Sequence, residues 1–173
     1  MTGSPPVDIL VAYRTQALVV FALVAVASIG LGYVLLYSGR RGRQLLWALT
    51  AVSLAGVLLL TLGPSGYNVR DEVWCKVQVV APTLGRIELV ANIALFFPLA
   101  FYGTLASRHP FVWLLACVGV SAAIEAIQAV APVIGRACDT NDWLMNTIGS
   151  VAGVLVAIVT MALVARVASK TSS

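Results

Sequence analysis

Apolar residues run along this chain in five long blocks separated by short polar clusters. Each block is close to the ~20 helical residues needed to cross a lipid hydrocarbon core. The first, about Gln16 to Tyr37, ends at Ser38-Gly39-Arg40-Arg41-Gly42-Arg43. The second, about Leu45 to Leu62, stops at the breaker cluster Gly63-Pro64-Ser65-Gly66. The third, about Glu88 to Leu105, carries Pro98 near its middle, which predicts a kink that neighbouring helices can tolerate. After Ser107-Arg108-His109-Pro110, the fourth runs from about Phe111 to Val130 and is closed by Pro132. The fifth runs from about Asp142 to Val164, with Arg166 and Lys170 after it. The pattern predicts an all-α polytopic transmembrane helix bundle of about five spans in a single domain, residues 1–173.

The longest polar connection is Tyr67 to Arg86, with Trp74 as an interfacial anchor. Within it Val77-Gln78-Val79-Val80-Ala81, before Pro82, is too short to span and predicts no regular structure. Met1 to Asp8 reads as a short disordered tail kept from helix by Pro5 and Pro6. It lacks the basic start of a cleavable signal peptide.

Composition agrees with lipid as the solvent. About 60% of the residues are apolar and 10% charged, against about 25% charged in soluble domains. The net charge of +4 does not point to nucleic acid, because the basic residues stand singly except at Arg40, Arg41 and Arg43. That cluster reads as a cytoplasmic topology signal, which puts the amino terminus outside and the carboxyl terminus inside. Arg108, Arg166 and Lys170 then join it on the inner side, while Arg14, Arg70, Lys76, Arg86 and Arg136 fall outside.

Against this apolar background a few polar residues stand out. A carboxylate such as Glu125 inside a spanning helix costs a few kcal/mol, so it is expected to face the bundle interior with a partner. Helical steps of four and three put Ser121, Glu125, Gln128 and Pro132 on one side of the fourth span. Asp142, Asn146, Gly149 and Gly153 share a face of the fifth, and Glu88 and Asn92 share one of the third. At about 1.5 Å per residue, Asn92 and Asn146 lie roughly 6 Å inside their helix ends and Glu125 about 10 Å, all in the outer half of the membrane. Thr140 or Asn141 is positioned to cap the fifth helix, with Asp142 near its positive end. Gly149 and Gly153 offer a small-xxx-small surface, expected to pack on the fourth helix.

These residues resemble the VanZ-like family of small bacterial membrane proteins. The likeness rests on Asn92 with Phe96-Phe97-Pro98-Leu99, on Glu125 and Gln128, and on Arg136-x-x-Asp139-x-x-Asp142-x-x-x-Asn146-x-x-Gly149-x-x-x-Gly153. The core it implies spans about 45–165. Ala100 stands where the family usually has glycine, and Asn141 where a second acidic residue often precedes Asp142, which weakens the case for a double-acid metal site. The resemblance implies a multi-pass protein of the bacterial plasma membrane with a link to the cell envelope, since the family's namesake raises resistance to the glycopeptide teicoplanin. It implies no mechanism.

Two readings of the polar set compete. In one, Asn92, Glu125, Gln128, Arg136, Asp139, Asp142 and Asn146 form an outward-facing pocket for a lipid headgroup, a wall-precursor lipid or a lipidated glycopeptide. In the other they only bond helix to helix, at under about 1 kcal/mol each. Arg136 suits phosphate or carboxylate on a ligand, but equally a structural pairing with Glu125, Asp139 or Asp142. Catalysis is the weakest reading. His109 is predicted on the opposite side of the membrane, and the carboxylates are too few and too widely spaced to argue for a metal; no cofactor is expected. A transporter of five short helices without a repeat would need a homo-oligomer or a protein partner. Cys75 and Cys138 both fall on the outer side, where an oxidising exterior favours a disulfide over two free thiols; Cys117 reads as core packing.

Overall fold

The computed structural model describes residues 7–64, 75–79, 87–131 and 134–171. Among the described residues there are five helices: α1 Val7–Tyr37, α2 Gly39–Leu62, α3 Ile87–Ser107, α4 Pro110–Val130 and α5 Thr140–Thr171. Val7 and Asp8, expected in a disordered tail, belong to helix α1. Trp74, Pro82, Pro132, the tail up to Pro6 and the side chain of Glu88 lie outside what is described.

The distribution of side chains is that of a protein solvated by lipid. Large apolar residues on α2, α4 and α5 point outward, among them Leu59, Phe111, Leu115 and Leu155. Apolar exposure this extensive on the helices would drive association in water. Meanwhile Thr50, Thr61, Ser150 and Thr160 are buried, and each hydroxyl donates to the carbonyl four residues earlier, at Leu46, Val57, Asn146 and Val156. With no water at that depth, a hydroxyl is satisfied by the nearest helical carbonyl. Among the described residues, α2, α3, α4 and α5 are each long and apolar enough to cross a membrane, and α1 adds the apolar stretch Phe21–Tyr37. The 32 residues of α5 extend about 48 Å, beyond the ~30 Å core, which leaves the turns with Arg166 and Lys170 exposed past it.

Helix α3 is the inner element and touches all four others. Apart from half-buried Pro98, its residues from Phe96 to Ala106 are buried. Phe97 stacks on Phe101 with ring centroids 5.9 Å apart, and Phe21 of α1 meets Phe97 edge-on. Gly32 of α1 lies against Leu105 and Phe101, whereas Gly30 faces open space.

The glycine pair of α5 packs on α3, not on α4 as its sequence position suggested. A Cβ at Gly149 would collide with the backbone of Ile93, 2.9 Å from its Cα. One at Gly153 would sit 3.1 Å from both the Ala100 Cβ and the Phe101 nitrogen. Ala100 is thus small because α5 crosses there. With lipid as solvent, such close backbone approach supplies dispersion contact in place of a hydrophobic driving force.

One feature had no sequence signal: Cys75–Lys76 (β1) and Cys138–Asp139 (β2) pair as a two-residue parallel bridge. Val77 to Val79 follow it without regular structure.

Overpacking the α3–α5 crossing should cost about 1–3 kcal/mol. Gly149→Val is expected to lower the thermal midpoint in detergent by several degrees, while Gly119→Ala, which faces open space, should leave it unchanged or slightly raised. Equal midpoints for the two variants would show that Gly149 does not set the crossing.

Candidate functional site

The polar face of α4 turns inward as its spacing requires. Ser121, Glu125 and Gln128 are all buried, on the same face as Ile124 and Cys117. Opposite them α5 presents Asp142 and Asn146, and α3 presents Asn92. Each of Asn92, Glu125 and Asn146 lies about 8–9 Å from its nearer helix end. The three helices meet the end of α2 around a partly open cavity of about 350 Å³. Its polar lining is Asn92, Glu125, Gln128, Arg136, Asp142 and Asn146. Leu60 of α2 with Ala91 and Leu95 of α3 form its apolar side.

Helix-end chemistry explains why these side chains converge. The last four carbonyls of α2 have no intrahelical donor. Gln128 Nε2 donates to the Thr61 carbonyl at 2.8 Å, and Arg136 Nε donates to the Gly63 carbonyl at 3.3 Å. Glu125 works in the opposite sense: its Oε2 accepts from the Asp139 backbone N–H at 2.8 Å, tying the α4–α5 connection back onto α4. In the interior, Asn146 Nδ2 donates to Ser121 Oγ at 2.9 Å and so links α5 to α4. Asn146 is only 2% exposed, and its Oδ1 has no hydrogen-bond partner among the described residues. A buried amide oxygen left unsatisfied costs about 1–3 kcal/mol, so this atom marks where a donor from outside the chain would be stabilised.

Asp139 does not line the cavity. Its Oδ1 accepts from the Asn141 N–H at 2.8 Å, and its Oδ2 accepts from Gln78 Nε2. Asp139 is therefore the N-cap of α5, two residues before the donor it serves. The cap was expected from Thr140 or Asn141. Instead, Thr140 Oγ1 accepts from the Gln78 N–H at 2.9 Å and lies 2.8 Å from the Gln78 carbonyl, to which it donates. A disulfide joins Cys75 to Cys138, with Cα atoms 4.5 Å apart. Together the bridge, the paired strands and Gln78 strap residues 75–78 to the start of α5. Cys117 is buried and free.

The roles of Gln78 and of the Thr61 and Gly63 carbonyls were not legible in the sequence. The only available signal was the breaker cluster after Leu62, which announces a helix end whose carbonyls need donors. His109 is exposed at the α3–α4 turn, about 24 Å along α4 from Glu125. Among the described residues, no three His, Cys, Asp or Glu side chains are gathered as metal ligands are. The arrangement can hold a polar group through donors on Arg136 and Asn92 and acceptors on Glu125, Asp142 and Asn146.

Removing the Gln128 amide strands the Thr61 carbonyl. Gln128→Ala should therefore destabilise the protein by about 1 kcal/mol or more, read as a lower thermal midpoint; no change would mean that the bond does not hold the end of α2. Thiol labelling followed by intact mass should modify neither Cys75 nor Cys138 in the folded protein until reductant is added. Two labels without reductant would contradict the strap.

Residues 24–163 match the VanZ/LLP1 family. The match starts within α1, earlier than the core expected from about Leu45, and takes in every cavity residue. No curated protein and no solved structure matches the chain. With the family match covering most of its length, the chain belongs to the VanZ/LLP1 family.

Proposed function

We propose that this membrane protein binds the polar headgroup of a cell-envelope amphiphile in the cavity among α2, α3, α4 and α5. The observation that carries this reading is Asn146 Oδ1, an unsatisfied acceptor on a buried side chain lining a cavity that also holds a guanidinium and two carboxylates. A headgroup with hydroxyl or amide donors would satisfy Asn146, and a phosphate or carboxylate on it would suit Arg136. The apolar side at Leu60, Ala91 and Leu95 fits a ligand that continues into lipid. Wall-precursor lipids, anionic lipids and lipidated glycopeptides share this chemistry, and the teicoplanin resistance raised by the family's namesake supports including the last. The membrane is the bacterial plasma membrane, with the cavity facing outward because Arg40, Arg41, Arg43 and Arg108 cluster at the opposite end of the bundle.

The second reading, a helix-fastening cluster in an accessory subunit, draws on the backbone bonds of Glu125, Gln128 and Arg136. Asn92 separates the two, because it lines the cavity and, among the described residues, takes no part in the bonds that fasten the helix ends. Native mass spectrometry of gently extracted protein should show a retained amphiphile that Asn92→Ala and Arg136→Gln lose without a fall in thermal midpoint for Asn92→Ala. Absence of any retained species in the wild type, with both variants losing stability, would favour the structural reading and contradict the proposal.

A further inference from the structure

At the other end of the bundle, where α1 turns into α2 and α3 into α4, lies a second cavity of about 400 Å³. Arg40 and Arg43 enter it from α2, three residues apart on one helical face, and Arg108 enters from the α3–α4 turn. Its walls are apolar, with Leu35, Leu36, Leu46 and Leu105. Among the described residues, no acidic one lines it. Three arginines on the lining of one recess give it a positive potential that favours an anion from outside the chain.

The backbone favours the same ligand. Ser38, at the N-cap position of α2, makes no capping bond; its Oγ donates to the Val34 carbonyl instead, at 3.1 Å. The first-turn amides of α2, at Gly39 and Arg40 on the cavity lining, are left without a side-chain cap, at the end of a helix that attracts anions. Gly42 lets this turn sit close to α1, since a Cβ there would collide with the Leu35 carbonyl. Arg108 holds a backbone φ of 61°, a conformation that ordinarily favours glycine, yet an arginine occupies it beside the cavity.

We infer that this cavity is a binding site for the phosphate of an anionic membrane lipid. Arginine matches phosphate by paired N–H donors, and a basic recess between spanning helices is the usual setting for an anionic headgroup. The leucine walls are what separate a lipid from free phosphate, because they receive the first methylenes of an acyl chain and offer nothing to an inorganic ion. The site is at the opposite end of the bundle from the Glu125 cavity and does not depend on the function proposed for it.

The test uses the full chain in neutral detergent, titrated with phosphatidylglycerol or phosphatidylcholine and read by native mass spectrometry. Wild type should prefer phosphatidylglycerol. Arg40→Gln/Arg43→Gln/Arg108→Gln should weaken that binding by about tenfold or more. The charge-matched Arg41→Gln/Arg166→Gln/Lys170→Gln, whose residues lie at the same end but outside the cavity, should leave it near wild type. If the first triple variant does not fold, Arg43→Gln alone should still weaken binding several-fold. Equal losses in both triple variants, or no loss in either, would overturn the site. Displacement of bound phosphatidylglycerol by millimolar inorganic phosphate would overturn the assignment to lipid.

Discussion

The bond from the Asp139 backbone N–H to Glu125 Oε2 fixes how the two ends of the α4–α5 connection meet. A carboxylate in a spanning helix must find a donor, and the start of a following helix is rich in them. Folding the connection back onto Glu125 places Asp139 where it caps α5 and Arg136 where it reaches the end of α2. The same fold brings Asn146 beside Ser121. The cavity is thus a by-product of satisfying backbone groups at low dielectric, lined by those side chains that still have capacity to bond.

Close helix approach is the second requirement, met by side chains too small to block it. Gly149 and Gly153 let α5 run against the backbone of α3, which puts Asn92 and Asn146 on opposite walls of one space. Had α5 packed on α4 through these glycines, Asn146 would have turned away from Asn92. The buried hydroxyls of Thr50, Thr61, Ser150 and Thr160 bond back to their own helices, while the glycines, the aromatic rings of α3 and the Ser121–Asn146 pair join one helix to another.

Much of this was legible in the sequence because lipid simplifies the code. Hydropathy marks a span, and any polar residue within it must face inward, so Ser121, Glu125 and Gln128 could be assigned to one buried face from spacing alone. The helix partner of Gly149 was not legible, because small-residue spacing states that a close neighbour exists without naming it. Nor could spacing separate Asp139 from the cavity-lining residues; its carboxylate serves the Asn141 amide and Gln78, and backbone amides have no letter in a sequence. The pairing of β1 with β2 rests on two residues in each strand, below what any periodicity can report.

A polar space reaches into the spanning region beside Asn92. Cysteine chemistry tests it directly, since two native thiols are joined and Cys117 is buried. A cysteine introduced by Asn92→Cys should react with a charged, membrane-impermeant thiol reagent in intact vesicles, whereas one introduced by Leu115→Cys on the lipid-facing side of α4 should not. Equal inertness of the two positions in folded protein would mean that the cavity does not admit polar groups, and would contradict the account.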